Sequence, residues 1–367
     1  MSFIGKTKTF LGLNALRNLV SDSMAIDMGS ASTIIAVRGR GIVVDEPSVV
    51  AINKVTGEVI AVGDEAHKMQ GREARDVTVI APLVDGVVAD FERTRTMLDQ
   101  FVQSARSGFS HFSRRAIMSV ISEVTQVEQR ALLAAAEEAR ISRVYMIEEG
   151  QAAAIGAGVP ITDEHAAAVV DVGGGTTNVA AIINGSIIAS RAERIGSSDI
   201  DVAIMDRLRR HRGLTIGVQT AERLKLELSS AIEPADTGKT INVRGRDVQT
   251  GSPGAVDITS GEVYTITVPI IRRIAEEVRT LLSDLSPEVA GDIFERGLIL
   301  TGGGALLDGL PSYLQNELGL DVTVAKEPRF AIVRGLSQLY DEPLLLRRVA
   351  RTEAHPMIDT EATAFET

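Results

Sequence analysis

Two stretches of the chain decide its fold. They are Met24-Ala-Ile-Asp27-Met-Gly29-Ser-Ala-Ser-Thr33-Ile-Ile-Ala-Val37 and Val169-Val-Asp171-Val-Gly173-Gly-Gly-Thr-Thr177-Asn-Val-Ala-Ala181. In each, an apolar strand ends in Asp-x-Gly, passes through small residues to a threonine, and resumes as a strand. A turn and a further strand follow in both cases, and the turns are Arg38-Gly39-Arg40-Gly41 and Asn184-Gly185. Asn-Gly is a strong hairpin signal. The repetition predicts an internal duplication, with one related hairpin in each half.

The rest of the chain alternates predicted helices with predicted strands, which indicates α/β layers. The predicted helices cover residues 90–105, 125–140 and 220–231, another begins near Gln151, and Ser260 is expected to cap one across 262–284. The predicted strands cover residues 116–121, 144–147, two short parts of 241–258, and 298–300. The tail from about Asp341 lacks a clear apolar period and is expected to be flexible, although residues 344–346 could dock on the fold.

Length, charge and composition narrow the class of protein. A chain of 367 residues exceeds the usual size of one core, so two domains are expected. The net charge of −11 argues against binding to nucleic acid, whose phosphates attract clustered Lys and Arg. The absence of cysteine excludes disulfides, thiolate metal ligands and a cysteine nucleophile. No apolar run approaches the ~20 residues needed to span a bilayer, and the first 23 residues do not read as a signal peptide. A cytoplasmic protein is expected.

The small residues of the two repeated turns predict a phosphate site. Backbone N–H groups of a tight Gly, Ser and Thr turn can surround a phosphate, and larger side chains would block its approach. The strand-end residues Asp27 and Asp171 can hold Mg²⁺ through water, because this ion prefers oxygen ligands and retains its waters. One such turn could equally be an ordinary glycine-rich hairpin. Two copies, each with Asp-x-Gly, predict that the turns hold one triphosphate from opposite sides.

These motifs resemble those of the actin superfamily, and the closer resemblance is to the bacterial MreB/Mbl family. Gly29-Ser-Ala-Ser-Thr33 is similar to the first phosphate loop, and Asp171-Val-Gly-Gly-Gly-Thr-Thr177 to the second. Thr301-Gly-Gly-Gly-Ala-Leu306 resembles the adenosine motif, and Thr220-Ala-Glu-Arg-Leu-Lys225 the helix that covers the ribose and adenine. Residues 41–50, 85–91 and 152–156 also resemble the family, and the likeness runs from about residue 24 to 340.

The resemblance implies an α/β, actin-like ATPase fold: two RNase-H-like domains with a nucleotide cleft between them, each with a small inserted subdomain. The implied divisions are a leader at 1–23, domain I at 24–165 with its small subdomain at about 44–89, domain II at 166–340 with its small subdomain at about 206–258, and a tail at 341–367. The leader is a possible amphipathic membrane helix, and the last helix of domain II is expected to return to domain I.

The ligands that the resemblance implies are ATP and Mg²⁺. The nucleotide-binding residues carried over from the family are Gly29, Ser30, Ala31, Ser32, Gly173, Gly174, Gly175, Thr176, Glu222, Arg223, Leu224, Lys225, Gly302, Gly303, Gly304, Ala305 and Leu306. Asp27 and Asp171 would place the metal and its waters. Glu128 matches the family residue that orients or activates the attacking water, which makes it the third catalytic candidate. However, Thr125-Gln-Val-Glu128 is also a capping box, in which Glu128 only satisfies the first N–H groups of its helix.

Several positions depart from the usual family sequence. Residues 120–124 lack the usual Pro and Gly, and Glu148-Glu149-Gly150-Gln151 stands where Glu-Glu-Pro-Met is usual. Asn178 replaces an acidic residue and Ser32 an asparagine. These departures cluster around the implied nucleotide site and leave the phosphate-binding backbone intact. ATP binding is therefore expected more strongly than efficient ATP hydrolysis, and the departures indicate a divergent paralogue.

Two apolar segments are candidates for contact with a membrane surface. Phe3, Phe10, Leu13 and Leu16 fall near one face of a helix that also carries positive charge, which fits an interfacial amphipathic helix. Phe109 and Phe112 lie in a segment with two following arginines that aligns with the membrane-insertion loop of the family. The alternatives are a disordered leader and a loop whose phenylalanines pack on the core.

The function that the resemblance implies is a slow ATPase that forms antiparallel double protofilaments at the inner face of the cell membrane. It would act with cell-wall elongation proteins to set cell shape. A nucleotide-binding regulatory or structural protein with weak or lost ATPase activity is the main alternative, and the departures near Glu128 favour it. A chaperone-type ATPase would need an attached substrate-binding domain, and a small-molecule kinase of the same fold would need a substrate pocket beside the γ-phosphate.

Overall fold

The computed structural model describes residues 21–106, 112–234 and 238–351. The strands, in chain order, are β1 (Ser21–Met28), β2 (Ser32–Val37), β3 (Gly41–Pro47), β4 (Val50–Asn53), β5 (Val59–Val62), β6 (Val77–Ile80), β7 (Leu83–Val84), β8 (Val87–Val88), β9 (Phe112–Val120), β10 (Arg143–Glu148), β11 (Ala167–Val172), β12 (Thr177–Ile183), β13 (Ser186–Glu193), β14 (Leu214–Thr215), β15 (Thr240–Asp247), β16 (Pro253–Thr259), β17 (Leu298–Thr301) and β18 (Val322–Val324).

The helices alternate with these strands, as the sequence predicted. They are α1 (Gly63–Met69), α2 (Phe91–Ser104), α3 (Gln126–Glu138), α4 (Glu149–Gly156), α5 (Ser197–Arg212), α6 (Val218–Leu228), α7 (Ser260–Ser283), α8 (Pro287–Arg296), α9 (Leu310–Leu318), α10 (Ala331–Gln338) and α11 (Pro343–Val349). Short 3₁₀ helices cover Gly303–Leu306 and Pro328–Phe330. The predicted cap of α7 was wrong by one residue: Thr259, rather than Ser260, accepts from the backbone N–H of Glu262.

Two five-stranded sheets share one topology, which confirms the predicted α/β fold with an internal duplication. Sheet I has the order β10-β9-β1-β2-β3, and sheet II, written in the same direction, has the order β18-β17-β11-β12-β13. In each, three antiparallel strands from one continuous segment join two parallel strands from further along the chain. Asn184 and Gly185, between β12 and β13, have φ values of 56° and 76°, as the two central residues of a type I′ hairpin turn require.

Side-chain alternation along the central strands separates three apolar layers, because successive residues of a strand point to opposite faces. Met24, Ile26 and Met28 of β1 face a core that includes α2 and α3. Ala25, between them, faces a central layer that holds α4 and α10 and also contacts sheet II. The second sheet alternates in the same way, since alternate residues of β11 face the core that includes α7, α8 and α9. Helices α4 and α10 therefore lie between the two sheets.

Helices α4 and α10 cross at two glycines. A Cβ atom at Gly156 would overlap the carbonyl oxygen of Ala331 and the amide of Gly335. Reciprocally, a Cβ atom at Gly335 would overlap the carbonyl oxygen of Ala152 and the amide of Gly156. Each glycine lets the other helix approach its backbone, so the two helices are related by an approximate two-fold arrangement.

Two small three-stranded sheets lie in the segments that the sequence analysis assigned to small subdomains. One has the order β5-β4-β6 and a small core of Ala51, Ala61 and Ala66. The other has the order β14-β15-β16 and packs against α5 and α6.

Tyr340, shortly after α10, forms hydrogen bonds with two neighbouring strands of sheet I. Its hydroxyl accepts a hydrogen bond from the backbone N–H of Ile117 at 3.1 Å and donates to the carbonyl oxygen of Met24. The side chain is partly buried in the central layer, and this burial raises its pKa. The phenol therefore stays neutral and joins β1 to β9 near the middle of the two strands.

The tail helix α11 packs on the central layer, in agreement with the alternative that residues 344–346 dock on the fold. Its Val349 is buried in that layer. Arg348 donates to the side-chain oxygen of Asn184 at 3.2 Å, and Asp341, just before the helix, pairs with Arg38 at 2.5 Å. The tail thus contacts both of the repeated hairpin turns. Residues 352–367 lie outside the described part of the chain.

Most of the membrane candidates fall outside the described residues. These are Phe3, Phe10, Leu13, Leu16 and Phe109. Phe112 is the first residue of β9 and is paired in register with Ser21. Within residues 21–106, 112–234 and 238–351, no helix combines the length and the apolar character that crossing a bilayer requires.

Candidate functional site

A cavity of about 420 Å³ lies between the two halves and is called the central cavity below. Both repeated turns line it. In the first turn the Gly29 N–H donates to the Ser32 carbonyl at 3.0 Å, and in the second the Gly173 N–H donates to the Thr176 carbonyl at 2.8 Å. The two turns touch, because a Cβ atom at Gly174 would overlap the Cβ of Ala31. The duplicated motifs therefore meet at one site, as the sequence predicted.

The N-terminus of helix α5 supports the second turn. The backbone N–H groups of Ser197 and Ser198 donate to the carbonyls of Gly173 and Gly174 at 3.0 and 2.8 Å. Ser197 also lines the central cavity. A helix N-terminus carries partial positive charge, and it therefore favours an anion beside this turn.

One buried carboxylate from each half lines the central cavity. Asp27, at the end of β1, accepts a hydrogen bond from the Ser119 hydroxyl at 2.7 Å. Asp171, at the end of β11, accepts one from the Thr301 hydroxyl at 2.8 Å. Each hydroxyl lies on the strand that runs parallel to that of its carboxylate. The duplication therefore includes a hydroxyl–carboxylate pair on each side of the site.

Glu149, the first residue of α4, is a third buried carboxylate in the central cavity. It accepts a hydrogen bond from the Asn178 side-chain amide at 2.6 Å. Burial, and next the negative charges of Asp27 and Asp171, raise the pKa of Glu149 well above its ordinary value. Burial likewise raises the pKa of Asp27 to about 6 and that of Asp171 to about 7. The cavity thus brings together three carboxyl groups whose charged forms are disfavoured by burial.

This donor set fits a cation that is held through water. Within the described ranges, no group of three or more His, Cys, Asp or Glu side chains is arranged to hold a metal ion. Asp27 and Asp171 supply one carboxylate from each half. Mg²⁺ binds readily to one or two carboxylates while it keeps several waters. A positive charge there would also offset the burial that raises both pKa values.

The other end of the central cavity is formed by Gly302 to Gly304, Leu306 and helix α6. From α6, Glu222 and Lys225 line the cavity. Lys225 pairs with the buried carboxylate of Asp201 at 2.6 Å. Burial raises the pKa of Asp201 to about 6, and the lysine limits the rise, so the Asp201 carboxylate is largely ionised at neutral pH. Lys225 is therefore held in place at the cavity wall.

Three of the predicted nucleotide-binding residues lie elsewhere. Leu224 is fully buried among the apolar residues of α5, α6 and β14–β16, and Ala305 is buried in the core behind sheet II. Arg223 is exposed and lines a separate groove with His67 and Lys68 of α1. The remaining members of the predicted set line the central cavity.

Glu128 forms the capping box that its sequence allowed. Its carboxylate accepts from the backbone N–H and the hydroxyl of Thr125, both at 2.8 Å. The backbone N–H bond is the largest cause that lowers the pKa of Glu128. The residue lines a small cavity of about 20 Å³, which Glu149 also lines. The helix-capping role is therefore observed, and a role in catalysis stays a prediction.

Some residues of the cavity were missed at the level of sequence. Glu149 stands in one of the segments that depart from the family pattern, but its place in the cavity depends on packing between the halves. Arg329 also lines the cavity, and its guanidinium forms a two-pronged ion pair with Asp45 of β3. Thr301 does not line the cavity but binds Asp171, and its sequence gave a signal for this role, because a hydroxyl at a strand end beside the Gly302–Gly304 run suits a binding site.

Two related sheets, two crossing helices and touching glycine-rich turns around one cleft define the class of actin-like proteins. A family model described as MreB/Mbl protein matches residues 21–347, and the chain belongs to the MreB/Mbl family. The cell shape-determining protein MreB of Escherichia coli (strain K12) is 42% identical over 328 residues, which are 88% of this chain and 94% of that protein. The cell shape-determining protein Mbl of Bacillus subtilis (strain 168) is 38% identical over 318 residues, 87% and 95% of the two chains.

Solved structures share the fold. MreB5 of Spiroplasma citri bound to ADP superposes with a TM-score of 0.83 at 30% identity, over 89% of this chain and 98% of that one. The same protein bound to AMPPNP gives a TM-score of 0.83. The MamK double helical filament, at 24% identity and a TM-score of 0.74, agrees in fold and covers 88% of this chain and 99% of its own.

Proposed function

We propose that the protein is an ATP-binding bacterial actin that forms membrane-associated filaments and helps to organise cell-wall synthesis and cell shape. The observation that carries the proposal is the pair of matched turns that meet at one cavity lined by a carboxylate from each half. The binding of ADP and AMPPNP by MreB5 of Spiroplasma citri supports a nucleotide at this place. The names of MreB and Mbl, cell shape-determining proteins, support the cellular role.

In this proposal the cavity residues divide the nucleotide between them. The turns at 29–32 and 173–176 hold the phosphates, with the N-terminus of α5 beside the second turn. The 302–304 run and Leu306 lie against the purine, and Glu222 and Lys225 approach the ribose or base. Mg²⁺ held through water by Asp27 and Asp171 would neutralise charge on the phosphates.

Glu149 is better placed than Glu128 to orient an attacking water. It lines the central cavity together with Asp27 and Asp171, whereas both hydrogen bonds of the Glu128 carboxylate go to the start of its own helix. A buried carboxylate can align a water and accept its proton. We therefore assign slow ATP hydrolysis to Glu149, with the neighbouring carboxylates holding the metal waters.

Self-association and membrane contact rest on family membership and on sequence. The proposed filaments are double protofilaments of this chain, and the small sheets β4–β6 and β14–β16 extend each half toward neighbouring subunits. Phe3, Phe10, Leu13 and Leu16, with Phe109 and Phe112, are the proposed contacts with the inner face of the cell membrane. Cell-wall elongation proteins are the proposed partners on the filament.

The test is sedimentation of the purified chain with ATP-Mg²⁺, ADP-Mg²⁺ or no nucleotide, each with and without anionic liposomes, with phosphate release measured in the same tubes. Pelleting that requires ATP, and that increases with liposomes, supports the membrane-associated filament. Glu149→Gln should abolish phosphate release, while Glu128→Gln, which can still form the capping box, should keep it. Tight ATP binding without pelleting in any tube would overturn the filament and leave a nucleotide-dependent regulator.

A further inference from the structure

We propose that Asn178 is a positioning residue that fixes the orientation of Glu149 from the opposite half of the molecule. This inference rests on the proposed function of Glu149 in ATP hydrolysis. The contact crosses the cleft: Glu149 begins helix α4, which follows sheet I, and Asn178 lies on β12 of sheet II. The carboxylate that meets the water is therefore correctly aimed only when the two halves are in their observed arrangement.

The bond between these side chains is short and shielded from water. The Asn178 Nδ2 donates to the Glu149 Oε2 at 2.6 Å. Asn178 is 1% exposed and Glu149 is 7% exposed. A buried bond from a neutral donor to a carboxylate is directional and strong, because water cannot replace it. One oxygen of Glu149 is thus fixed by Asn178.

An amide at position 178 suits the charge of its surroundings. Asn178 is paired in register with Asp171, and Glu149 already experiences the charges of Asp27 and Asp171. An acidic side chain at 178 would add a further carboxylate to the same dry region and would accept rather than donate, unless it took up a proton. The Oδ1 of Asn178 has no hydrogen-bond partner, so the amide is oriented by its bond to Glu149 alone.

Gly150 brings the two groups together. A Cβ atom at Gly150 would overlap the Cβ of Ala180, which lies two residues after Asn178 on the same face of β12. Helix α4 can therefore approach β12 closely at its first turn, where Glu149 lies. Gly150 and Asn178 are two of the positions at which this chain departs from the usual family sequence, and both lie where the first turn of α4 meets β12.

The experiment compares Asn178→Asp, Glu149→Gln and the double variant that carries both. Each is measured for kcat and KM of ATP hydrolysis and for the temperature of unfolding. Asn178→Asp should lower kcat by about tenfold to a hundredfold with little change in KM, because it misaligns the carboxylate without removing a nucleotide contact. The double variant exchanges amide and carboxylate, so it should recover the unfolding temperature but not kcat. Asn242→Asp is the matched control, because Asn242 also donates to a carboxylate, that of Asp257, on an exposed hairpin.

Two results would overturn the proposal. Wild-type kcat in Asn178→Asp would show that Glu149 needs no partner, and recovery of kcat in the double variant would show that the pair is only structural. If the unsubstituted chain releases no phosphate, the ATPase part of the proposed function fails by itself. The unfolding temperatures still decide the contact in that case, since strictly additive effects of the two single substitutions would refute it.

Discussion

The two halves of the molecule match at their turns and differ at the start of their crossing helices. Asp27 and Asp171 each accept a hydrogen bond from a hydroxyl on the neighbouring parallel strand. The reciprocal contact of Gly156 and Gly335 aligns helix α4 with α10. Seven residues before these glycines, the first half has Glu149 and the second has Pro328, whose carbonyl accepts from the Gly302 N–H at 2.9 Å.

This difference separates two requirements of the site. A triphosphate presents similar oxygens on both sides, so matched turns and matched carboxylates suit its binding. Attack on one phosphorus atom requires a water on one side, and a carboxylate at only one of two equivalent positions suits that step. The duplicated features thus correspond to nucleotide binding, and the unmatched position corresponds to the proposed chemistry.

The largest effect is expected where the alignment of the halves is set. Gly335→Ala would place a Cβ atom on the backbone of Ala152, which overpacks the centre of the molecule, and it should destabilise the fold by about 3 kcal/mol. Gly156→Ala should do the same, because the two contacts are reciprocal. Calorimetric unfolding measures both. Gly291→Ala is the control: Gly291 is exposed in helix α8 with open space around it, and alanine there should stabilise by up to about 1 kcal/mol. Clearly unequal effects at 156 and 335 would break the equivalence of Glu149 and Pro328.

The next effect tests whether the paired carboxylates of the two halves are equally buried. Burial raises the pKa of Asp171 from 3.8 to about 7 and that of Asp27 from 3.8 to about 6. Between these limits the folded chain binds more protons than the unfolded chain, so both groups lower the free energy of unfolding as the pH rises.

Without nucleotide, the stability of Asp171→Asn relative to wild type should therefore increase from pH 4 to about 7, by at most about 1.4 kcal/mol per pH unit. For Asp27→Asn the increase should end near pH 6. Denaturant unfolding at a series of pH values measures both curves. Curves parallel to that of the wild type would show that neither carboxylate is desolvated.

The smallest effect is expected at an ion pair that joins the halves at the side of the cavity. Arg329 donates from its Nη1 to the Asp45 carboxylate at 2.7 Å, and both side chains are partly exposed. Because exposed pairs contribute about 1 kcal/mol or less, Asp45→Ala should speed nucleotide dissociation by at most about fivefold. Stopped-flow release of a fluorescent ATP analogue measures it. Asp341→Ala, which removes the Arg38 pair at the tail, should leave the rate unchanged; an equal increase would show a general loosening of the molecule.

Local sequence patterns made much of the fold and both repeated turns predictable. The Asp-x-Gly turns and the Asn184-Gly185 hairpin depend on residues that are adjacent in sequence, so their pattern alone specifies the backbone. The Asp90 and Thr125 caps likewise mark the starts of α2 and α3. These features predicted the duplication and the meeting of both turns at one site.

The features that the sequence did not specify depend on packing between distant segments. Leu224 and Ala305 lie within motifs that resemble ligand-binding segments, yet each is buried in the core. A helix that touches a ligand with one face must bury the other, and the motif does not state which residue faces which way. Glu149 lies in the central cavity because α4 approaches β12 at Gly150. This contact joins the two halves, so no local sequence pattern predicts it.

The position of Tyr340 near the end of the chain determines when sheet I can be covered during translation. Its hydroxyl binds to the backbone of Met24 and of Ile117, which precede it in the chain by 316 and 223 residues. The strands of sheet I leave the ribosome long before α10 and Tyr340, so the face that bears Ala25 and Ile117 waits uncovered through most of translation. Late closure of distant contacts slows folding and exposes apolar surface to aggregation. A chain that stops short of Tyr340 therefore yields an aggregation-prone fragment, although its first sheet is already complete.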